Sequence, residues 1–314
     1  MKKVYFLSLI VCLVTMMSAT PLAAQVKEFS IGGATIGGAD HAMAIASAQC
    51  LNKFLLGTNF TAEVTAGTDE NLKLMNTKKL EFGVGSPSVS SLGFQGLPPF
   101  KKKIDFRVLM TMQPKPLITV ALKSSGIKRV ENLKGKRVAV GPPGGGRETG
   151  NRATLEACGL TYNDIKPAFT RATDTVDALG DKKVDAAIMI FAEIEQIVLL
   201  HKVVLLSYTQ QQMDKLMSQH PYFGKFKIPA GTFKGIDYDA WAVDFGTQLF
   251  CRTDLDNDLV YQVTRTLIEH LDFLKAAYAP AKYITKEWAA EKRGLVPFHP
   301  GAIKYYKEIG VWKD

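Results

Sequence analysis

Residues 139–153 read AVGPPGGGRETGNRA, a β-branched run that ends in a glycine loop and enters a helix-like stretch. Such a junction turns unpaired backbone N–H groups toward solvent at the positive end of a helix dipole, where an anion binds. A second loop of the same kind, IGGATIGGAD, occupies residues 31–40. The spacing fits no nucleotide motif: neither G-x-x-x-x-G-K-[ST] nor G-x-G-x-x-G is present, and glycine-rich loops also serve as plain tight turns. Arg147 sharpens the loop at 139–153, since a guanidinium there suits a carboxylate through two parallel hydrogen bonds. The alternative is a solvated loop arginine paired with Glu148. Arg152 and Arg171 are weaker candidates of the same type.

A catalytic constellation is not legible. The five histidines, His41, His201, His220, His270 and His299, stand at no metal-ligand spacing, and no G-x-S-x-G occurs. His270, in an apolar helical pattern, reads as structural. Ser86 and Ser88 in GVGSPSVS follow a strand end, where hydroxyls suit ligand binding, and neither has an assignable general base. Glu193 and Glu195 in FAEIEQ share a face if that segment is a strand. In a cleft either could accept a ligand amine or act as a general acid; on a solvated face they do neither. The reading is therefore no enzyme, no catalytic residue, no metal and no cofactor.

The elements that position these residues begin after a leader. MKKVYFLSLIVCLVTMMSATPLAAQ has two lysines, an apolar run and small residues, which predicts a signal peptide over 1–24 and export to the periplasm. Its lysines account for two units of the formal net charge of +9. A basic exported chain has little occasion to meet nucleic acid, and its field draws in anionic solutes. The remaining cysteines, Cys50, Cys158 and Cys251, are far apart and form no C-x-x-C, so free thiols or a single disulfide are both open.

Strand, helix and turn signals then alternate. EFSIGG reads as a strand and Met43, Ala46, Cys50, Leu51 and Phe54 share one helical face. FTAEVTAG, DENLKLMNTKK and LEFGVGSPSVSSLGFQG read as strand, helix, and a strand entering a polar loop. FRVLMTMQPKPLITVALKS reads as two strands joined by a Pro-x-Pro crossing between lobes, and PYFGKFKIPAGTFKGID as a loop. AWAVDFGTQLFCRT reads as paired strands returning the chain, and Leu259, Val263, Leu267, Leu271 and Leu274 as one terminal helix. The order predicts two similar α/β lobes, each a mixed, mostly parallel sheet flanked by helices. Residues 25–112 and 241–314 form lobe I and 113–240 form lobe II.

Five motifs in order resemble the TAXI family, the solute-binding proteins of TRAP (tripartite ATP-independent periplasmic) transporters. They are IGGATIGGA, TAGTDENLKLMNTKKLEFGVGSPSV, SGIKRVENLKGKRVAVGPPGGG, HPYFGKFKIPAGTFKG and PFHPGAIKYYKEIG, spread over nearly the whole chain after the leader. The resemblance implies a type II periplasmic-binding-protein fold that closes on a small organic acid or amino acid. It further implies delivery to TRAP membrane subunits by a monomer. Ligand contacts carried over by position are Gly33, Thr35, Gly38, Ala39, Thr68, Asn71, Ser86, Ser88, Gly145, Gly146, Arg147, Phe191 and Glu193. The family's Thr-Tyr-Tyr is Ala39-Asp40-His41 here, its Gly-Ser-Gly-Thr is Gly144-Gly145-Gly146-Arg147, and its Ala-Gly-x-Pro is Phe191-Ala192-Glu193-Ile194. An added cation and an added acid suit a zwitterion or a differently charged acid. Two other functions share this fold: a periplasmic sensor feeding a membrane kinase, and an exported enzyme.

Overall fold

The computed structural model describes residues 26–141 and 146–313; the leader read at 1–24 and Gly145 lie outside these residues. The first lobe opens with β1 (Lys27–Gly32), α1 (Ala39–Phe54), β2 (Thr58–Glu63), α2 (Thr68–Asn76), β3 (Phe82–Gly85), α3 (Pro87–Gln95) and β4 (Phe106–Thr111). The second contains β5 (Pro116–Leu122), β6 (Arg137–Ala139), α4 (Gly146–Ala157), β7 (Lys166–Ala168), α5 (Ala172–Gly180), β8 (Ala186–Met189) and α6 (Phe191–Leu200). It continues through β9 (Val203–Leu206), α7 (Gln210–Gln219), β10 (Gly224–Ile228) and β11 (Ala240–Asp244). The chain then returns through β12 (Gln248–Arg252), α8 (Asn257–Glu269), α9 (Leu271–Ala277), α10 (Lys286–Ala289) and α11 (Pro300–Glu308).

Two sheets result, ordered β2-β1-β3-β12-β4 and β10-β11-β5-β8-β6-β7, with β9 also paired to β5. Both are mixed. β12 runs against β3 and β4 in the first, and β5 runs against β8, β9 and β11 in the second. Each sheet has its own core. Phe82, Phe106, Phe250, Tyr305 and Tyr306 centre the first, and Val138, Met189, Ile194 and Phe226 belong to the second. A chain of this length thus buries its apolar surface in two units rather than one.

Several local readings change. β11 and β12 do not pair with each other: β11 joins β10 in the second sheet and β12 joins β3 and β4 in the first. The return crossing is therefore 245–247, not 240/241. The polar loop read after β3 is helix α3, because Ser86 is extended and Pro87 at its first turn presets a helical φ. FAEIEQ is helical, not a strand, since Ile194 and Ile197 at i and i+3 bury one face of α6. Glu193 is consequently buried and Glu195 exposed. The loop read at 221–237 contains β10, whose residues alternate between buried and less buried positions against β11. The terminal helix breaks at His270 (φ −113°, ψ 35°), whose ring stacks 3.7 Å from that of Phe54.

Candidate functional site

Two crossings connect the lobes, and they run side by side. Met112 N–H donates to Thr247 O at 2.7 Å and Phe245 N–H to Lys115 O at 3.2 Å. Asp244, fully buried, ties both together: its Oδ1 accepts from Lys115 N at 2.5 Å and from Gly246 N at 2.9 Å. Its Oδ2 takes the Arg293 guanidinium, which also donates to Glu291 Oε2 at 2.8 Å and lies 4.3 Å over the Trp288 ring. Burial opposes the arginine's charge, yet Asp244 and Glu291 raise its pKa above the usual value. Gly246 has a positive φ of 56°, and a Cβ there would stand 2.9 Å from Arg293 Nη1. Only glycine meets both demands without strain.

A cavity of about 210 Å³ opens at these crossings, lined by Ser86, Ser88, Lys115, Leu117, Ile190, Phe245 and Gly246. Its walls come from α3 of the first lobe, from both crossings, and from the start of α6 in the second. Two larger hollows, at Leu122–Ser124 with Gly180 and His201 and at Glu287 with Gly310–Val311, are each lined from one lobe alone. Lys115 Nζ donates to Asp40 Oδ1 at 2.5 Å, so a cation at the cavity is held by the first turn of α1. Ser86 Oγ and Ser88 Oγ are 2.8 Å apart and share one hydrogen bond. Leu117, Ile190 and Phe245 supply an apolar wall. The arrangement can hold an anionic head beside an apolar body.

The residues carried over by motif sit where strands end. Gly33 follows β1, Thr68 follows β2, Ser86 follows β3, Gly146 opens α4 after β6, and Phe191 follows β8. Parallel strands present ligands at their carboxyl ends because the next helix N-terminus lies there. Of the motif residues, Ser86 and Ser88 line the cavity. Thr35 is exposed, and its carbonyl accepts from Gly38 N at 2.9 Å in the turn that starts α1 at Ala39. Asn71 is fully buried and donates to the carbonyls of Gly32, Gly33 and Val84 at 3.1, 2.8 and 3.0 Å, which joins β1 to β3. Thr68 Oγ1 accepts from Ser86 N at 2.9 Å. Phe191 packs edge-on to Phe233 and Phe226, at 5.0 and 5.6 Å. Glu193 Oε2 accepts from Ile190 N at 2.9 Å, a carboxylate closing its own helix. Gly145 and the side chain of Arg147 lie outside what the structure describes.

Motif reasoning missed Lys115, Leu117, Ile190, Phe245 and Gly246. Their signal was present at two places, the lysine between Pro114 and Pro116 and the Phe-Gly step between β11 and β12. Cys50, Cys158 and Cys251 are free, and burial pushes Cys50 and Cys158 up to about 12, so neither is a thiolate nucleophile at neutral pH. Among the described residues no group of His, Cys, Asp or Glu could hold a metal, and no helix is long and apolar enough to cross a membrane.

Two α/β lobes, two antiparallel crossings and a cavity between them define the type II periplasmic-binding-protein fold. The chain belongs to the NMT1-like family, matched over residues 31–310. Solved structures share the fold at low identity. The periplasmic sulfonate-binding protein SsuA from Methylobacillus flagellatus KT is 14% identical with a TM-score of 0.54, over 92% of this chain and 88% of that one. The aliphatic sulphonate-binding protein SsuA from Escherichia coli is 14% identical with a TM-score of 0.52, over 90% and 83%. XAC2383 from Xanthomonas citri, solved with chloride, is 10% identical with a TM-score of 0.51, over 90% and 95%. Both SsuA neighbours are periplasmic sulfonate-binding proteins.

Proposed function

We propose that the chain is an extracytoplasmic solute-binding protein that captures a small organic anion or amino acid between its lobes and hands it to a TRAP-type membrane transporter. The observation that carries the reading is the cavity at the crossings, where Lys115, Ser86 and Ser88 face Leu117, Ile190 and Phe245. Charge-assisted hydrogen bonds in a cleft closed around its solute are worth about 1.5–3 kcal/mol each. The SsuA proteins with this fold bind sulfonates, which are organic anions, and that agrees with a cationic cleft. The strand-end residues Gly33, Thr35, Gly38, Ala39, Thr68 and Asn71, with Gly145, Gly146, Arg147, Phe191 and Glu193, complete the proposed ligand surround. Some act through the backbone they hold rather than by touching solute.

The TRAP assignment rests on the five ordered motifs, while the solved neighbours include binding proteins of ABC transporters. Native mass spectrometry of the protein as purified tests capture, because a closed cleft retains its solute. A protein that holds no solute and is stabilised by no organic acid or amino acid in a thermal-shift screen would remove this function. Uptake in cells that express the protein tests the partner: dependence on an ion gradient supports TRAP coupling, and dependence on ATP refutes it. Amino-terminal sequencing of the exported chain tests the leader, with Gln25 expected first.

A further inference from the structure

We infer that the cleft selects a small organic acid with one anionic head and a short apolar body, and that Lys115 is the residue that fixes the head. This rests on the solute-binding reading and names the class of solute.

The argument is a count of donors and acceptors at the cavity. Lys115 carries the single formal charge among the described lining residues. Its ammonium has three donors, of which one goes to Asp40. Two remain. Ser86 and Ser88 have two O–H donors between them, and one is spent in their mutual bond. One remains. Three donors on residues that line one cavity match in number the oxygens of one carboxylate or one sulfonate. The rest of the lining is Leu117, Ile190 and Phe245, with Gly246.

A dicarboxylate of the same length would set its second charge against those apolar side chains, and among the described lining residues none compensates its lost water. An amino acid would need an acceptor for its ammonium group. The carboxylate of Asp40 is already neutralised by Lys115 at Oδ1, the oxygen that Thr247 Oγ1 also meets at 3.5 Å, so a ligand ammonium there would compete with Lys115 for one negative charge. Asp40 is therefore a positioning residue for Lys115. Size points the same way. The cavity of about 210 Å³ is smaller than the several hundred Å³ of drug-sized sites. At ~30 Å³ per water it has room for about seven waters, which suits a small acid.

The test is calorimetric titration of the mature protein with butanoate, hexanoate, butane-1-sulfonate, succinate, glutarate, norvaline and glutamate, beside native mass spectrometry. A single-headed acid should bind at least ~10-fold tighter than the dicarboxylate or amino acid of matched length. The better of butanoate and butane-1-sulfonate identifies the head. Lys115→Met should lower that affinity at least ~10-fold, and Asp40→Asn, which keeps Lys115, separates loss of the head's cation from loss of the Lys115–Asp40 pair. Lys115→Arg should recover part of the loss. Tighter binding of succinate, glutarate, norvaline or glutamate would overturn the inference and leave the solute-binding reading intact. So would a retained solute that is not a single-headed acid, or unchanged affinity in Lys115→Met. Failure of both the panel and the retained-solute measurement would remove the two readings together.

Discussion

Asp244 and Arg293 form an ion pair with essentially no exposure, at the point where the chain leaves the second lobe for the first. One carboxylate oxygen holds the guanidinium and the other holds the N–H groups of both crossings. The segment of Arg293 also reaches each lobe, through Gly294 N to Pro221 O at 3.0 Å and Leu295 N to Ser91 Oγ at 3.4 Å. The two crossings are thus tied by a charge from the far carboxyl-terminal region.

Removing one partner leaves the other buried and uncompensated. Asp244→Ala should destabilise the protein by about 3–5 kcal/mol, read from the midpoint of chemical denaturation. Asp244→Asn keeps an acceptor oxygen for Lys115 N and Gly246 N and should cost less. A loss below about 1 kcal/mol for Asp244→Ala would mean the pair does not hold the crossings together.

Gly150 lies inside α4, where alanine ordinarily stabilises by about 0.5–1 kcal/mol. Here the sign should reverse. A Cβ at Gly150 would fall 1.5 Å from Cε1 of Phe245, a residue of the cavity wall. Gly150→Ala must push that ring, and we expect a destabilisation of about 1–3 kcal/mol with a weakened solute. Thermal melts with and without solute separate the two effects; a stabilised variant with unchanged affinity would show that the ring is free to move.

His299 caps α11 by accepting Gly301 N–H at Nδ1, 3.2 Å away, and it is buried. Burial lowers its pKa from the ordinary 6.5, with Arg107 acting in the same direction and the Leu255 backbone and Asp256 opposing. The folded state therefore binds fewer protons than the unfolded state just below pH 6.5. The stability this group contributes is complete above that value and falls as pH drops beneath it. His220, also lowered by burial, acts in the same window. His299→Asn keeps a capping oxygen without a titration, so its stability should depend less on pH between 5 and 6.5 than that of the wild type, by denaturation at fixed pH steps. Equal slopes would exclude His299 as a contributor.

Arg147, the second residue of α4, stands where the resembling motif has a small hydroxyl. If it shares the anionic head, Arg147→Ala should lower solute affinity at least ~10-fold by calorimetry. An unchanged affinity would return this residue to the surface.

Much of the architecture was legible in the chain. Alternating strand and helix periods, glycine loops after β1 and β6, and the Pro114-Lys115-Pro116 step all announce two α/β lobes and a crossing, because those signals are local. The helices α3 and α6 were less so. Pro87 and Ile194 act through helix geometry that a short polar or apolar run does not display. β11 and β12 looked like a hairpin for the same reason: pairing partners are chosen by the sheets that receive them, β10 for one and β3 with β4 for the other.

The sequence by itself determined the composition of the walls: hydroxyls after β3, a lysine between prolines, an acid opening α1. Only the tertiary structure decided which of these meet. Lys115 and Asp40 are 75 residues apart, and Asp244 and Arg293 are 49 apart. A charge selects its partner by distance in space, where desolvation makes the pairing matter, and distance along the chain carries no record of that choice.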